Sequence, residues 1–78
     1  MKELIEFIVK SIVDNPDDVR VVEIDGPTET YGELTVAPGD MGRVIGRRGR
    51  VINSIRSLMQ VLAAKKGRNA SLELVEVD

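Results

Sequence analysis

Two glycines enclosing two arginines, Gly46-Arg47-Arg48-Gly49, with Arg43 shortly before and Arg50 directly after, are the residues best suited to chemistry in this 78-residue chain. That chemistry is the holding of an anion, phosphate above all. Guanidinium groups bind phosphate oxygens through paired hydrogen bonds. Glycine lets a second backbone approach closely. The flanks Val44-Ile45 and Val51-Ile52 belong to apolar helical stripes, so the four residues interrupt two helices. The second helix begins at the loop, and its free N–H groups and positive dipole end face the same spot. A bare G-x-x-G is short, common and often only a turn. Here two arginines sit at its tip between two helices, and three independent features converge on one place.

Other chemistries have little to work with. The chain has no cysteine and no histidine, which excludes disulfides and thiolate metal sites and removes the commonest general base and metal ligand. We therefore expect no enzyme activity, no metal and no cofactor. No G-x-x-x-x-G-K-[ST] run marks a P-loop. Gly39, Gly42, Gly46 and Gly49 do not form the dinucleotide fingerprint. Phe7 and Tyr31 are the only aromatic residues, too few to stack bases as RRM, cold-shock or OB-type binders do.

The net charge of −2 conceals a strong asymmetry. Residues 1–42 carry three basic and ten acidic side chains; residues 43–68 carry eight basic and no acidic ones. The three remaining carboxylates, Glu73, Glu76 and Asp78, lie in the tail. A stretch so one-sided creates a local positive potential despite an acidic pI of about 5.1, which suits an anionic partner. No apolar run is long enough to span a bilayer, and Glu3 and Glu6 break up any signal-peptide pattern. A cytoplasmic location without membrane contact is expected.

The elements that must position the loop follow from periodicity. Leu4, Ile5, Ile8, Val9 and Ile12 predict a helix from Lys2 to about Asp14, stopped by Asn15-Pro16. Val19–Asp25 and Thr30–Ala37 alternate like strands, Val22 and Ile24 against Glu23 and Asp25, Leu34 and Val36 against Glu33 and Thr35. The turn Gly26-Pro27-Thr28-Glu29 makes them an antiparallel hairpin. Asp40 is placed to cap a short helix, Met41–Ile45. A longer helix runs from Arg50 to about Lys66, its buried stripe being Val51, Ile52, Ile55, Leu58, Met59 and Leu62, and Gly67 suits its C′ position. Ala70–Val77 is the last strand. Strand, two helices, strand implies a crossover between parallel neighbours. The expected fold is α+β, in the order α-β-β-α-α-β, a mixed three-stranded sheet with three helices on one face, all one domain over residues 1–78. Met59 and Val61 on the long helix, and Val75 and Val77 opposite Leu72 and Leu74, look like surplus apolar positions. They suggest self-association.

Val44-Ile45-Gly46-Arg47-Arg48-Gly49-Arg50-Val51-Ile52 resembles the V-I-G-x-x-G-x-x-I core of the KH domain at every fixed position. The element order is similar to its type II, prokaryotic form. The resemblance covers essentially the whole chain and extends to the KhpA family of small bacterial RNA-binding proteins. It implies a groove between the helices flanking the loop and the edge of the sheet, accepting about four nucleotides of single-stranded RNA. Gly46, Arg47, Arg48 and Gly49 would hold the RNA backbone, with Arg43 and Arg50 beside them. Val44, Ile45 and Ile52 would lie at or under the apolar floor. It further implies a homodimer, a larger KH-containing partner, and an RNA-chaperone role touching cell-wall synthesis and cell shape. Two alternatives stay open: a protein-interaction adaptor of KH fold, which has no need of Arg47-Arg48, and a single-stranded DNA binder.

Overall fold

The computed structural model describes residues 1–76. Helix α1 spans Lys2–Lys10. Ile5 and Val9, four residues apart, are buried, and Glu6 is ion-paired to Lys2 (3.9 Å) and Lys10 (3.6 Å) along the neighbouring flank. Such exposed pairs support a helix by a few tenths of a kcal/mol each, on the order of 0.3 kcal/mol. The helix stops four residues short of the expected end. The Ser11 hydroxyl donates to Phe7 O (2.6 Å), and Ile12 N–H bonds Val9 O, tightening the last turn. Beyond it, the Asp14 and Asn15 N–H groups are both taken by the Asp40 carboxylate at 3.0 Å. Pro16–Asp18 then forms a single 3₁₀ turn.

Strand β1 (Arg20–Asp25) pairs antiparallel with β2 (Glu29–Val36), Val21 opposite Leu34. The hairpin closes through Gly26 N–H to Glu29 O at 2.7 Å. Here the alternation in the sequence misleads. Val21 is buried against the helices, whereas Val22 and Ile24 are 51% and 53% exposed on the outer face. Register decides this: Leu34 and Val36 lie on the inner face of the central strand, so Val21, opposite Leu34, must share that face.

Pro38–Asp40 is a second 3₁₀ turn, leading into α2 (Met41–Ile45), which has the expected bounds. Helix α3 covers Arg50–Ala64. Its buried residues are Ile52, Ile55, Met59 and Ala63, while Leu58 is exposed. Met59 is core, 2% exposed, and offers no surplus surface; Val61, at 55%, does. The helix closes with Arg68 N–H on Ala63 O, and Gly67 sits at φ 70°. Strand β3 (Asn69–Glu76) pairs with β2 in parallel, Gly32 against Leu72 and Leu34 against Leu74. Val77, expected at the strand's end, lies outside the described residues.

The sheet order is β1-β2-β3, antiparallel then parallel, with β2 central. Ile5, Val9, Val21, Leu34, Val36, Val44, Ile52, Ile55, Met59 and Leu72 form one apolar cluster between sheet and helices. The α+β architecture with helices on one sheet face is thus as expected. Arg68 ties the α3–β3 corner to the hairpin: its guanidinium donates to Gly26 O and Glu29 O, both at 2.7 Å, and to Thr30 Oγ1 at 3.3 Å.

Candidate nucleic-acid interface

The loop between α2 and α3 is fixed by its backbone. Gly46 N–H bonds Gly42 O at 2.9 Å and closes α2. Gly46 itself lies at φ 75°, ψ 175°, a region essentially open to glycine alone. A Cβ there would sit 2.8 Å from Val51 Cβ and 2.9 Å from Val51 N, so the first turn of α3 packs directly on the glycine. Gly49 N–H then bonds Gly46 O (3.2 Å), and Arg50 N–H bonds Arg47 O. Arg48 (φ 58°, ψ 28°) and Gly49 (φ 73°, ψ 14°) are both left-handed. An arginine in that region carries strain of about 1–2 kcal/mol. Three positive-φ residues in four turn the chain abruptly and present the two arginines outward. The N-terminus of α3 has no side-chain cap hydrogen bond; Arg50 N–H is taken by Arg47 O, and the N–H groups that follow it start the helix beside the loop.

Helix α2 is too short to hold itself. Val44, fully buried, docks it into the core. Asp40 anchors its start in an unexpected way. It occupies the N-cap position of α2 but makes no cap bond there. Its carboxylate, 1% exposed, instead accepts from Asp14 N–H and Asn15 N–H at 3.0 Å and Asn15 Nδ2 at 3.1 Å. The chain between α1 and β1 is thereby pinned beneath the loop-bearing helix. The Asp14 N–H holds the Asp40 carboxyl below the usual carboxylate range, against the effect of burial. The Asn15 side chain and N–H, and the charge of Arg43, act in the same downward sense.

The basic residues fall into two groups. Arg43 pairs with Asp14 at 3.4 Å. Arg56 donates from Nε to Leu72 O (3.0 Å) and from Nη1 to Asn53 Oδ1 (3.3 Å), and Arg68 is committed to the hairpin. Arg47, Arg48 and Arg50 are exposed, with no carboxylate partner among the described residues. Among the apolar residues expected at the site, Val44 and Ile52 are core and Ile45 is 38% exposed beside the loop. Asn53, Ser54 and Ser57 line a shallow depression with Arg50; sequence reading passed over them because small polar residues on a helix are ordinary solvent-facing choices. On the α1 side an apolar groove of about 370 Å³ runs past Ile8, Val51, Ile55 and Leu58, with Arg50 at its end. No cluster of potential metal ligands exists among the described residues.

A constrained glycine-bounded loop, exposed guanidinium groups and a helix start without a side-chain cap are chemically suited to an anion. The family model described as "KhpA/KhpB, KH domain" matches residues 2–74. The chain is 49% identical over 74 residues to RNA-binding protein KhpA of Borreliella burgdorferi, covering 95% of this chain and 90% of that one. It is 43% identical over 76 residues to RNA-binding protein KhpA of Chlamydia trachomatis, with 97% of each covered. It is 44% identical over 75 residues to RNA-binding protein KhpA of Clostridium perfringens, covering 96% and 100%. No solved structure matches the chain. With the α-β-β-α-α-β order of the type II fold and near-complete coverage of its relatives, the chain belongs to the KhpA/KhpB KH-domain family.

Proposed function

We propose that this chain is a non-catalytic RNA-binding protein, one KH domain over residues 1–78, that clamps a short single-stranded RNA. Gly46 and Gly49 let the RNA backbone approach, and Arg47, Arg48 and Arg50 neutralise its phosphates, with Arg43 alongside. Ile45 supplies apolar contact over the buried Val44 and Ile52. The observation that carries the reading is the pair Arg47-Arg48, exposed and unpaired among the described residues on a loop whose backbone is strained to present it. An adaptor would have no use for that strain. The relatives named RNA-binding protein KhpA support the same reading.

Binding to a labelled single-stranded RNA pool tests it, comparing the native chain with Arg47→Asp/Arg48→Asp and checking both folds by circular dichroism. With three phosphate contacts, log K against log salt should fall with a slope of about −2. The folded double variant should lose most of that slope and of the affinity. Equal binding by the two proteins would sink the loop reading in favour of the adaptor. Equal affinity for the matching DNA would make the ligand single-stranded nucleic acid in general, because the 2′-hydroxyl would then carry nothing.

The proposal includes a homodimer. Leu4 and Phe7 on α1 and Leu58 and Val61 on α3 are exposed apolar residues on two elements sharing a seam. Sedimentation showing monomer at high micromolar concentration would remove this part. The family resemblance extends the reading to a cytoplasmic RNA chaperone or post-transcriptional regulator that works with a larger KH-containing partner.

A further inference from the structure

The outer face of the sheet, remote from the helices, takes no part in the proposed RNA binding. Register places Val22 beside Glu33, Ile24 beside Tyr31, Glu33 beside Glu73 and Thr35 beside Val75. Three properties of this face call for a partner. First, β2 and β3 run parallel, and parallel strands are ordinarily covered on both faces, whereas here the helices cover one. Second, Val22 and Ile24 expose about half their surface next to each other on the edge strand. Third, Glu33 and Glu73 are direct neighbours across the parallel pair, an arrangement in which like charges repel. Neither is ion-paired among the described residues, and the only relief is a hydrogen bond from the Tyr31 hydroxyl to Glu73. That carboxylate, its charge and the charge of Glu33 push the Tyr31 hydroxyl up to about 12.

We propose that this face, Val22, Ile24, Tyr31, Glu33, Glu73 and Val75, docks a cationic amphipathic segment of a partner protein. The segment places aliphatic side chains on Val22 and Ile24 and a lysine or arginine between Glu33 and Glu73. Charge selects the occupant. Arg20, opposite Thr35 on the same face, donates to Asp17 O and Val19 O and pairs with neither glutamate, so Glu33 and Glu73 repel a nucleic acid and attract a basic polypeptide, and the apolar residues beside them reward aliphatic contact rather than a hydrated ion. Because the exposed arginines stand on the loop between α2 and α3 and this face lies across the sheet, the partner and an anionic ligand can be held together.

The test uses the full chain labelled at its methyl groups. The probe is a synthetic amphipathic helical peptide with leucines on one side and lysines along the margins. The control peptide has glutamate in place of lysine. Expected are shifts of the Val22, Ile24 and Val75 methyls with the lysine peptide and none with the glutamate peptide. Glu33→Gln/Glu73→Gln should bind roughly five-fold more weakly, the combined scale of two exposed ion pairs, with its fold unchanged. Saturating single-stranded RNA should leave the peptide shifts in place. Shifts confined to the α1–α3 seam or the glycine loop would overturn the proposal, as would equal binding by the double variant. Sedimentation decides the remaining possibility: if the chain self-associates and Ile24→Lys abolishes this, the face seats a second copy and the proposal fails.

Discussion

Replacing Gly46 by alanine should damage the protein far more than the same change at Gly49, although the two look equivalent in a G-x-x-G motif. Gly46 occupies φ 75°, ψ 175°. Holding alanine there costs about 1–3 kcal/mol of backbone strain. The added Cβ would also meet Val51: Cγ2 at 2.4 Å, Cβ at 2.8 Å and N at 2.9 Å. Rotating the valine moves only the first of these, so the start of α3 must shift, at an overpacking cost of about 1–3 kcal/mol. The total, roughly 2–6 kcal/mol, compares with roughly 4–12 kcal/mol for the stability of a chain this size. At Gly49 the conformation is ordinary left-handed, and the nearest heavy atom to a new Cβ is Asn53 Nδ2 at 3.4 Å. The expected loss there is about 1–2 kcal/mol. Urea unfolding followed by circular dichroism separates the two: with m near 1 kcal/mol/M, Gly46→Ala lowers the midpoint by about 2 M or more. A loss under about 1 kcal/mol at Gly46, or a larger loss at Gly49 than at Gly46, would refute the argument from Val51 packing.

Arg48→Gly should leave stability unchanged or raise it by up to about 1 kcal/mol, since left-handed strain is relieved while the unfolded chain gains entropy. RNA affinity should fall in the same variant, measured by titration, and a clear loss of stability would show that Arg48 is needed for the fold. The Asp40 carboxyl is depressed when folded, so its contribution is present above the ordinary carboxylate range and is lost as pH falls through the folded value. Asp40→Asn should therefore be less stable than native at neutral pH, with the gap closing in acid; a pH-independent gap in thermal melts would show that charge is irrelevant at this position. Tyr31 is the only tyrosine, so alkaline absorbance titration reads it alone. Its midpoint should lie near 12, with Glu73→Gln returning it toward the usual value; a midpoint near 10 in the native chain would disprove the Tyr31–Glu73 hydrogen bond in solution.

Element order, the hairpin, the bounds of α2 and the place of the glycine loop were legible from sequence. Each is written in local signals: apolar periodicity, proline and glycine positions, and a turn tetrapeptide. What was illegible depends on contacts distant along the chain. The chain past α1 is held out of the helix by Asp40, which takes the N–H groups of Asp14 and Asn15 from 25 or 26 residues away. Local reading assigned that same aspartate to a helix cap, the usual use of its residue type. The inward face of β1 is set by register against β2, and the local alternation of Val22 and Ile24 with Glu23 and Asp25 points to the wrong face. Leu58 reads as core by spacing and emerges exposed because the buried stripe of α3, Ile52, Ile55, Met59 and Ala63, is turned away from it, and Ala63, a small residue, carries little weight in the pattern.

The charge asymmetry was legible in sign but not in layout. Eight basic residues between positions 43 and 68 suggest one positive patch. Folded, Arg43, Arg56 and Arg68 serve Asp14, Leu72 O and the hairpin carbonyls. The five left without such a partner among the described residues divide between the two ends of α3: Arg47, Arg48 and Arg50 before it, Lys65 and Lys66 after it. A helix of 15 residues separates them by roughly 20 Å, well beyond a Debye length of about 8 Å at physiological salt. The two groups therefore act independently on an exposed ligand. The arginine group alone coincides with positive-φ glycines and a helix start without a side-chain cap, and this favours one end of α3, not the basic segment as a whole, as the proposed anion site.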